Sequence, residues 1–116
     1  MNEITREQLQ LKLERRESFV LAEALPPAYY AKGHLPGALN LPHDQVDALA
    51  RRFLPHKAQE IVVYCASATC QNSEVAARRL KQLGYERVAV YRGGKADWQA
   101  AGLPLELSAE AAAGSP

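Results

Sequence analysis

The two cysteines of this chain, Cys65 and Cys70, are the residues whose type and spacing are best suited to chemistry. Cys65 ends the apolar run 61–65, and small or polar residues follow it as far as Ser73. Backbone N–H groups of such a loop can point inward, and a helix starting near Ser73 would add the positive end of its dipole. Because both features stabilise an anion, we expect the thiol of Cys65 to ionise more easily than a free one. A thiolate is nucleophilic and a persulfide carried on it is also anionic, so the pattern favours sulfur chemistry at Cys65.

The same pattern has two other interpretations. A cysteine at the end of a buried strand is often only a small apolar core residue. Alternatively, Cys65 and Cys70 could form a reversible disulfide, because the small residues between them leave the backbone room to bring the sulfurs together. Cys70 would then act on an oxidised or persulfidated Cys65 rather than on substrate, whereas a Cys70 that points into the core would never meet Cys65. The residues alone leave these alternatives open.

Short apolar runs and amphipathic segments alternate along the chain, which predicts an α/β fold. Thr5 and Gln8 have the spacing of a capping box, so a helix of roughly ten residues is expected to follow. Such alternation implies right-handed crossovers and a mainly parallel central sheet with helices on both faces. Ligands bind such sheets at the carboxyl ends of the strands, where Cys65 lies. Strands are predicted within residues 19–24, 38–41, 61–65 and 88–91, and further helices within 27–33, 44–54, 73–83 and 95–101.

Several residues near these elements are expected to have structural roles. Ser73 is predicted to cap the helix that follows the cysteine loop, because a serine hydroxyl can accept from an N–H group of the first turn. His34, in a turn rich in glycine and proline, is expected to bond the backbone rather than act as a base. Trp98 is expected to pack in the core. Four residues at helical spacing predict the apolar face of the helix before Pro55: Val46, Leu49, Ala50 and Phe53.

Length and charge restrict the class of protein. The chain has 116 residues and a formal net charge of +1, which suits one domain over residues 1–107 and a flexible tail over 108–116. It shows no basic patch for nucleic acid, no apolar stretch that could span a membrane and no signal peptide, so we expect a cytoplasmic protein. The three histidines do not lie at ligand spacing from the cysteines, so neither a metal nor a cofactor is expected. A monomer or weak homodimer is expected.

A series of motifs follows a recognisable order along the chain. The series begins with Gly33-His34-Leu35-Pro36-Gly37 and the residues up to Pro42, and a strand ending in Tyr64-Cys65 follows. The later motifs are Ser73 with Ala76-Ala77, Leu83-Gly84-Tyr85, Val90-Tyr91-Arg92-Gly93-Gly94, Trp98 and Ala101-Gly102-Leu103-Pro104-Leu105. Together, over residues 4 to 106, they resemble the rhodanese-like sulfurtransferase family. The resemblance implies a three-layer α/β fold and a loop cysteine that takes sulfane sulfur from a donor such as thiosulfate or a persulfide. It also implies that this sulfur passes to cyanide, a small thiol or a protein thiol.

By position in that resemblance, Cys65 is the cysteine that carries sulfur. The loop that follows it is implied to bind substrate, with its members being Ala66, Ser67, Ala68, Thr69, Cys70, Gln71, Asn72 and Ser73. The loop departs from the family pattern: it is longer, and Asn72 stands where the family usually has an arginine. Without a loop cation, a dianion such as thiosulfate should bind weakly. Phosphatase or arsenate reductase activity, which uses a related loop, ranks low because it needs that arginine for its oxyanion. The alternative that stays open is a non-catalytic or redox-regulatory module with a Cys65–Cys70 thiol/disulfide pair.

Overall fold

The computed structural model describes residues 2–107, so the tail expected over 108–116 lies outside the described residues. The strands are β1 (Asn2–Glu3), β2 (Val20–Glu23), β3 (Leu39–Asn40), β4 (Glu60–Tyr64) and β5 (Arg87–Tyr91). The helices are α1 (Arg6–Glu14), α2 (Pro27–Lys32), α3 (Val46–Phe53), α4 (Asn72–Gln82) and α5 (Gly94–Ala100). The strands form one parallel sheet in the order β1-β5-β4-β2-β3. Among residues 2–107, no helix combines the length and apolar content needed to cross a membrane.

β4 is the central strand of the sheet, and both of its faces are covered. Ile61 and Val63 belong to a core with α3 and α4, while Val62 and Tyr64 belong to a core with α1 and α5. All four side chains are fully buried. A strand covered on both sides needs apolar residues at successive positions, which explains the continuous run in the sequence. The three-layer α/β fold with helices on both faces is therefore confirmed.

The start of α1 confirms the predicted capping box. The backbone N–H of Gln8 donates to Thr5 Oγ1 over 3.1 Å, and the backbone N–H of Thr5 donates to Gln8 Oε1 over 2.9 Å. Both bonds satisfy N–H groups that the first helical turn leaves without a partner. Local sequence chemistry alone is enough to define this helix end.

The predicted cap of α4 was wrong. The helix begins at Asn72, and its N-cap, Gln71, makes no side-chain capping bond. Ser73 therefore lies inside the first turn, where its side chain is buried and its hydroxyl faces Cys65. Because that hydroxyl is turned into the protein, Ser73 contributes to the cysteine loop instead of capping the helix.

The predicted apolar face of α3 is correct for Val46, Leu49 and Ala50 and wrong for Phe53. Val46 and Ala50 are buried, but Phe53 is 52% exposed and lies under the guanidinium of Arg52, whose carbon is 5.2 Å from the ring centre. Leu54 leaves the helix with φ −127° and ψ 65° and is buried. The chain therefore turns inward one residue after Phe53, and Leu54 fills the core position predicted for the aromatic ring.

β1 is an element that the sequence did not reveal. Its two residues are polar and exposed, and it is held at the sheet edge by parallel pairing with β5 and by a bond from Ile4 N–H to Val90 carbonyl over 3.0 Å. These bonds use backbone groups only. A strand of this kind has no alternation of apolar side chains from which it could be predicted.

Candidate functional site

The cysteine loop lies at the carboxyl edge of the sheet, as predicted. Cys65 directly follows β4, and the loop leads through Ser73 into α4. β2 and β5 flank β4 in parallel register, with Glu23 and Tyr91 opposite Tyr64. Residues that follow these strands therefore meet the start of the loop.

The first turn of α5 holds the base of the loop. The backbone N–H of Lys95 donates to the Cys65 carbonyl over 3.0 Å, and that of Ala96 donates to the Ala66 carbonyl over 2.9 Å. Gly94 makes this approach possible, because a β-carbon there would lie 2.4 Å from the Cys65 carbonyl oxygen. Gly94, the second glycine of the Gly93-Gly94 motif, therefore lies directly against the start of the cysteine loop.

The sulfur of Cys65 is enclosed by its own loop. The residue is only 1% exposed, and its Sγ lies 3.3 Å from the Cys70 carbonyl oxygen and 3.5 Å from Ser73 Oγ. Burial raises the pKa of the Cys65 thiol, and its interaction with the Cys70 side chain adds to this, while the hydroxyl and N–H of Ser73 oppose it. The expectation that Cys65 ionises more easily than a free thiol was therefore wrong. The physical reason is that the loop closes over the sulfur and excludes water from it.

The pKa of Cys70 is shifted in the opposite direction to that of Cys65. Cys70 is half-buried, and partial burial works against its ionisation. That effect is outweighed by interactions with the Cys65 side chain and with the backbone of Ala66 and Asn72, so the pKa of Cys70 is lowered. The loop therefore favours ionisation of Cys70 over ionisation of Cys65. Both cysteines are free thiols, and Cys70 lies beside Cys65 rather than in the core.

The remaining loop residues form the rim around the two thiols. The N–H of Cys70 donates to the Ser67 carbonyl over 3.1 Å, which closes a turn, and the hydroxyls of Ser67 and Thr69 lie 3.1 Å apart. Ala66, Ala68, Thr69 and Gln71 are exposed, whereas Ser73 is buried. Within the part of the chain that the structure describes, no lysine or arginine side chain bonds to residues 65–73. The loop therefore surrounds its thiols with small polar groups and backbone, without a cation.

A buried ionic cluster lies behind the loop, on the opposite face of the sheet from the Cys65 side chain. Glu23 is fully buried, its Oε1 accepts from Tyr64 Oη over 2.8 Å, and its Oε2 lies 3.0 Å from Lys95 Nζ. Lys95 Nζ also donates to the Tyr29 carbonyl over 2.9 Å, and Leu35 N–H donates to Tyr64 Oη over 2.9 Å. Burial raises the pKa of Glu23, against the lowering effects of Tyr64 and Lys95.

Sequence reasoning did not identify this cluster as a unit. Its one visible signal was an acidic residue, Glu23, inside the apolar run that became β2. The partners Tyr64 and Lys95 come from two other elements that are distant in the chain. Because Lys95 also donates its N–H to Cys65, the cluster ties α5 and the base of the cysteine loop to the sheet.

His34 has the structural role that was expected. Its N–H and carbonyl pair with the backbone of Glu106 over 2.9 and 2.8 Å, and its ring stacks on Tyr30 with centroids 4.1 Å apart. Nδ1 lies 2.9 Å from the Leu35 carbonyl, which can only accept, so Nδ1 carries the proton. The buried imidazole therefore stabilises this turn and is not directed at the thiols. Trp98 is likewise in the core, with Nε1 donating to the Pro104 carbonyl over 2.9 Å.

Comparison with known proteins relates this chain to a known family. A family model described as "Rhodanese-like domain" matches residues 5–101. A protein of Allochromatium vinosum named sulfurtransferase is 36% identical over 105 residues, which span 90% of this chain and 94% of that protein. An HTH-type transcriptional regulator of Mycobacterium tuberculosis is also 36% identical, over 91% of this chain but only 45% of the regulator. The solution structure of a rhodanese-like domain from Anabaena superimposes with a TM-score of 0.81 and 29% identity, over 91% of this chain and 79% of that one.

Proposed function

The chain belongs to the rhodanese-like family, and from that premise we propose that it is a sulfurtransferase in which Cys65 carries sulfane sulfur as a persulfide. The observation that carries this proposal is the position of Cys65, directly after β4 in a loop that brings a second thiol beside it. The Allochromatium relative named sulfurtransferase supports the assignment, because this chain spans nearly all of it. Free thiols in the loop suit a reducing compartment, so we place the reaction in the cytoplasm.

The proposed reaction has two half-reactions. A thiol of the loop takes the outer sulfur of a donor, either thiosulfate or a persulfide, and the donor leaves as sulfite or as a thiol. The persulfide on Cys65 then passes its outer sulfur to cyanide or to a small or protein thiol, which restores the Cys65 thiol. Residues 66–73 would bind both substrates, since their backbone and hydroxyl groups form the rim of the site.

We expect one sulfur atom to be retained on Cys65. After incubation with a persulfide donor and removal of small molecules, intact mass spectrometry should show a gain of one sulfur, removable by dithiothreitol or cyanide. Cys65→Ser should lower the retained sulfur at least about five-fold, because the remaining thiol, Cys70, is only half-buried and would lose its sulfur to acceptors more readily. Equal retention by the wild type and Cys65→Ser would contradict the assignment of Cys65 as carrier.

The uncharged loop leads to a separate expectation about the donor. Asn72 stands where a cation is usual in the family, so singly charged or neutral persulfides should react faster than the dianion thiosulfate. Asn72→Arg should lower the KM for thiosulfate about five-fold by adding a guanidinium beside the bound dianion. Steady-state kinetics with both donors measures this.

Gln99→Arg is the matched control for that variant, because it adds the same charge at an exposed position of α5. If Gln99→Arg lowers the KM for thiosulfate as much as Asn72→Arg does, the effect comes from net charge and the loop position is irrelevant. Rapid wild-type turnover at low thiosulfate concentration would show that the loop backbone binds the dianion without a cation.

A second candidate function is a redox-regulatory module. The observation that favours it is that the Cys65 thiol contacts the backbone carbonyl of a second free cysteine, Cys70, in the same loop. The same mass measurement separates the two functions: loss of two hydrogens with no retained sulfur would identify a Cys65–Cys70 disulfide as the product. Retained sulfur with both cysteines otherwise reduced supports sulfur transfer.

A further inference from the structure

We propose that Cys70 is the thiol that takes sulfur from the donor, and that it passes this sulfur to Cys65 within the loop. This inference rests on the proposed sulfurtransferase function and divides it between two thiols. It replaces the expectation that Cys70 would act only on Cys65 and never on substrate. The observations that support it are the unequal burial and acidity of the two cysteines and their proximity in the loop.

The first observation is access. Cys65 is 1% exposed, and its Sγ is enclosed by the Cys70 carbonyl and the Ser73 hydroxyl. The attacking sulfur must approach the donor along the axis of the donor's own S–S bond. For Cys65 this approach requires the loop to open. Cys70 is only half-buried and lies between the exposed residues Thr69 and Gln71, so we expect a donor to meet Cys70 before Cys65.

The second observation is the difference in acidity between the two thiols. Partial burial raises the pKa of Cys70, but interactions with the Cys65 side chain and with the backbone of Ala66 and Asn72 outweigh it, so the pKa of Cys70 is lowered. Burial has the opposite outcome at Cys65, whose pKa is raised. Cys70 is therefore the more acidic of the two thiols, and it is also the less buried one.

The third observation is the contact that would permit transfer inside the loop. Cys65 Sγ lies 3.3 Å from the carbonyl oxygen of Cys70, and the two side chains interact. The residues between them are small, and the turn closed by Cys70 N–H and the Ser67 carbonyl keeps the two cysteines together. A sulfur bound to Cys70 would therefore be within reach of Cys65 after a side-chain rotation.

The two steps balance without an added oxidant or reductant. In the first, the Cys70 thiolate attacks the outer sulfur of a donor persulfide; the donor S–S bond breaks, and its electron pair leaves with the donor thiolate. In the second, Cys65 Sγ attacks the outer sulfur of the Cys70 persulfide. The bond between that sulfur and Cys70 breaks, and the proton of the Cys65 thiol passes to Cys70 Sγ. The product is a persulfide on Cys65, where burial separates it from water.

The test is a time-resolved loading experiment with cysteine persulfide as the donor. The reaction is quenched with iodoacetamide at successive times, and tandem mass spectrometry locates the added sulfur on Cys65 or Cys70. In the wild type, sulfur should be found first on Cys70 and later on Cys65. Cys70→Ala should slow the loading of Cys65 about ten-fold, whereas Cys65→Ser should still gain sulfur on Cys70 and should pass none of it on.

The outcomes distinguish this inference from the function on which it rests. If Cys70→Ala loads Cys65 at the wild-type rate, or if wild-type sulfur reaches Cys65 without first being found on Cys70, the relay is wrong while the Cys65 persulfide stands. Formation of a Cys65–Cys70 disulfide with release of sulfide also overturns the relay. If no cysteine gains sulfur in any form of the protein, the sulfurtransferase function itself fails. The order of labelling is read in the wild type, so the test does not depend on either variant folding.

Discussion

Gly94→Ala is expected to destabilise the protein by about 3–5 kcal/mol and to disrupt the cysteine loop. A β-carbon at this position would lie 2.4 Å from the Cys65 carbonyl oxygen and 3.0 Å from the Ala66 carbonyl carbon, both of them backbone atoms. Neither atom can move aside without moving the loop. The φ of +66° adds the cost of a left-handed backbone for alanine, about 1–2 kcal/mol.

The consequence for sulfur chemistry follows from the same contact. The bonds from Lys95 and Ala96 to the Cys65 and Ala66 carbonyls set the start of the loop, and a methyl group at Gly94 would push these partners apart. We therefore expect sulfur loading to fall together with stability. Urea unfolding measures the free energy change, and the loading experiment measures the effect on the site.

Gly102→Ala is the matched control. Gly102 has a similar φ of +79°, but nothing lies within 4 Å of the added β-carbon. This variant should show only the backbone cost, about 1–2 kcal/mol, and should load sulfur normally. If Gly94→Ala is no less stable than Gly102→Ala, the close approach to Cys65 does not constrain the fold.

Lys95→Met is expected to destabilise the protein by about 3 kcal/mol, because it leaves the carboxylate of Glu23 buried without its cation. Glu23 is fully buried and the Lys95 side chain is only 13% exposed, so water cannot replace the lost partner. Tyr64 would remain as the one hydrogen-bond donor that the structure shows at the carboxylate. Urea unfolding of the variant at neutral pH measures this loss.

The destabilisation should depend on pH in a defined direction. Burial already raises the pKa of Glu23 above that of the unfolded chain, and removal of Lys95 raises it further. Glu23 therefore takes up a proton when the protein folds. The stability linked to this proton is fully present below the pKa of Glu23 in the unfolded chain, and it declines as the pH rises through the pKa of Glu23 in the folded protein. Lys95→Met should accordingly lose less stability at about pH 5 than at about pH 8.

Two further variants separate the ion pair from a general effect of losing a lysine. Lys81→Met removes an exposed lysine from α4 and should change stability by no more than about 0.5 kcal/mol. Adding Glu23→Gln to Lys95→Met removes the unpaired charge and should recover part of the loss. A loss for Lys95→Met that is equal at both pH values, with no recovery in the double variant, would show that the Glu23 charge is not responsible.

Much of the fold is determined by local features of the sequence. The capping box of Thr5 and Gln8, the apolar run 61–65 and the alternation of strand and helix patterns predicted α1, β4 and the parallel sheet. These features act between residues that are close in the chain, so periodicity and capping chemistry report them directly. The same reasoning placed Cys65 at the carboxyl end of the central strand, because the edge on which a residue lies follows from strand direction alone.

The tertiary structure decided which thiol is more buried and which has the lower pKa. The sequence showed two cysteines in one loop and favoured Cys65 for ionisation, but the loop buries Cys65 and raises its pKa, while interactions with Cys65 and with the backbone of Ala66 and Asn72 lower the pKa of Cys70. The path of the loop depends on Gly94 and Lys95, which follow another strand and hold its base. The pKa of a thiol depends on water exclusion and on the direction of nearby dipoles, and both are set by contacts between residues far apart in the chain. The same holds for the Glu23, Tyr64 and Lys95 cluster, whose members come from three elements and meet only when the sheet and α5 have assembled.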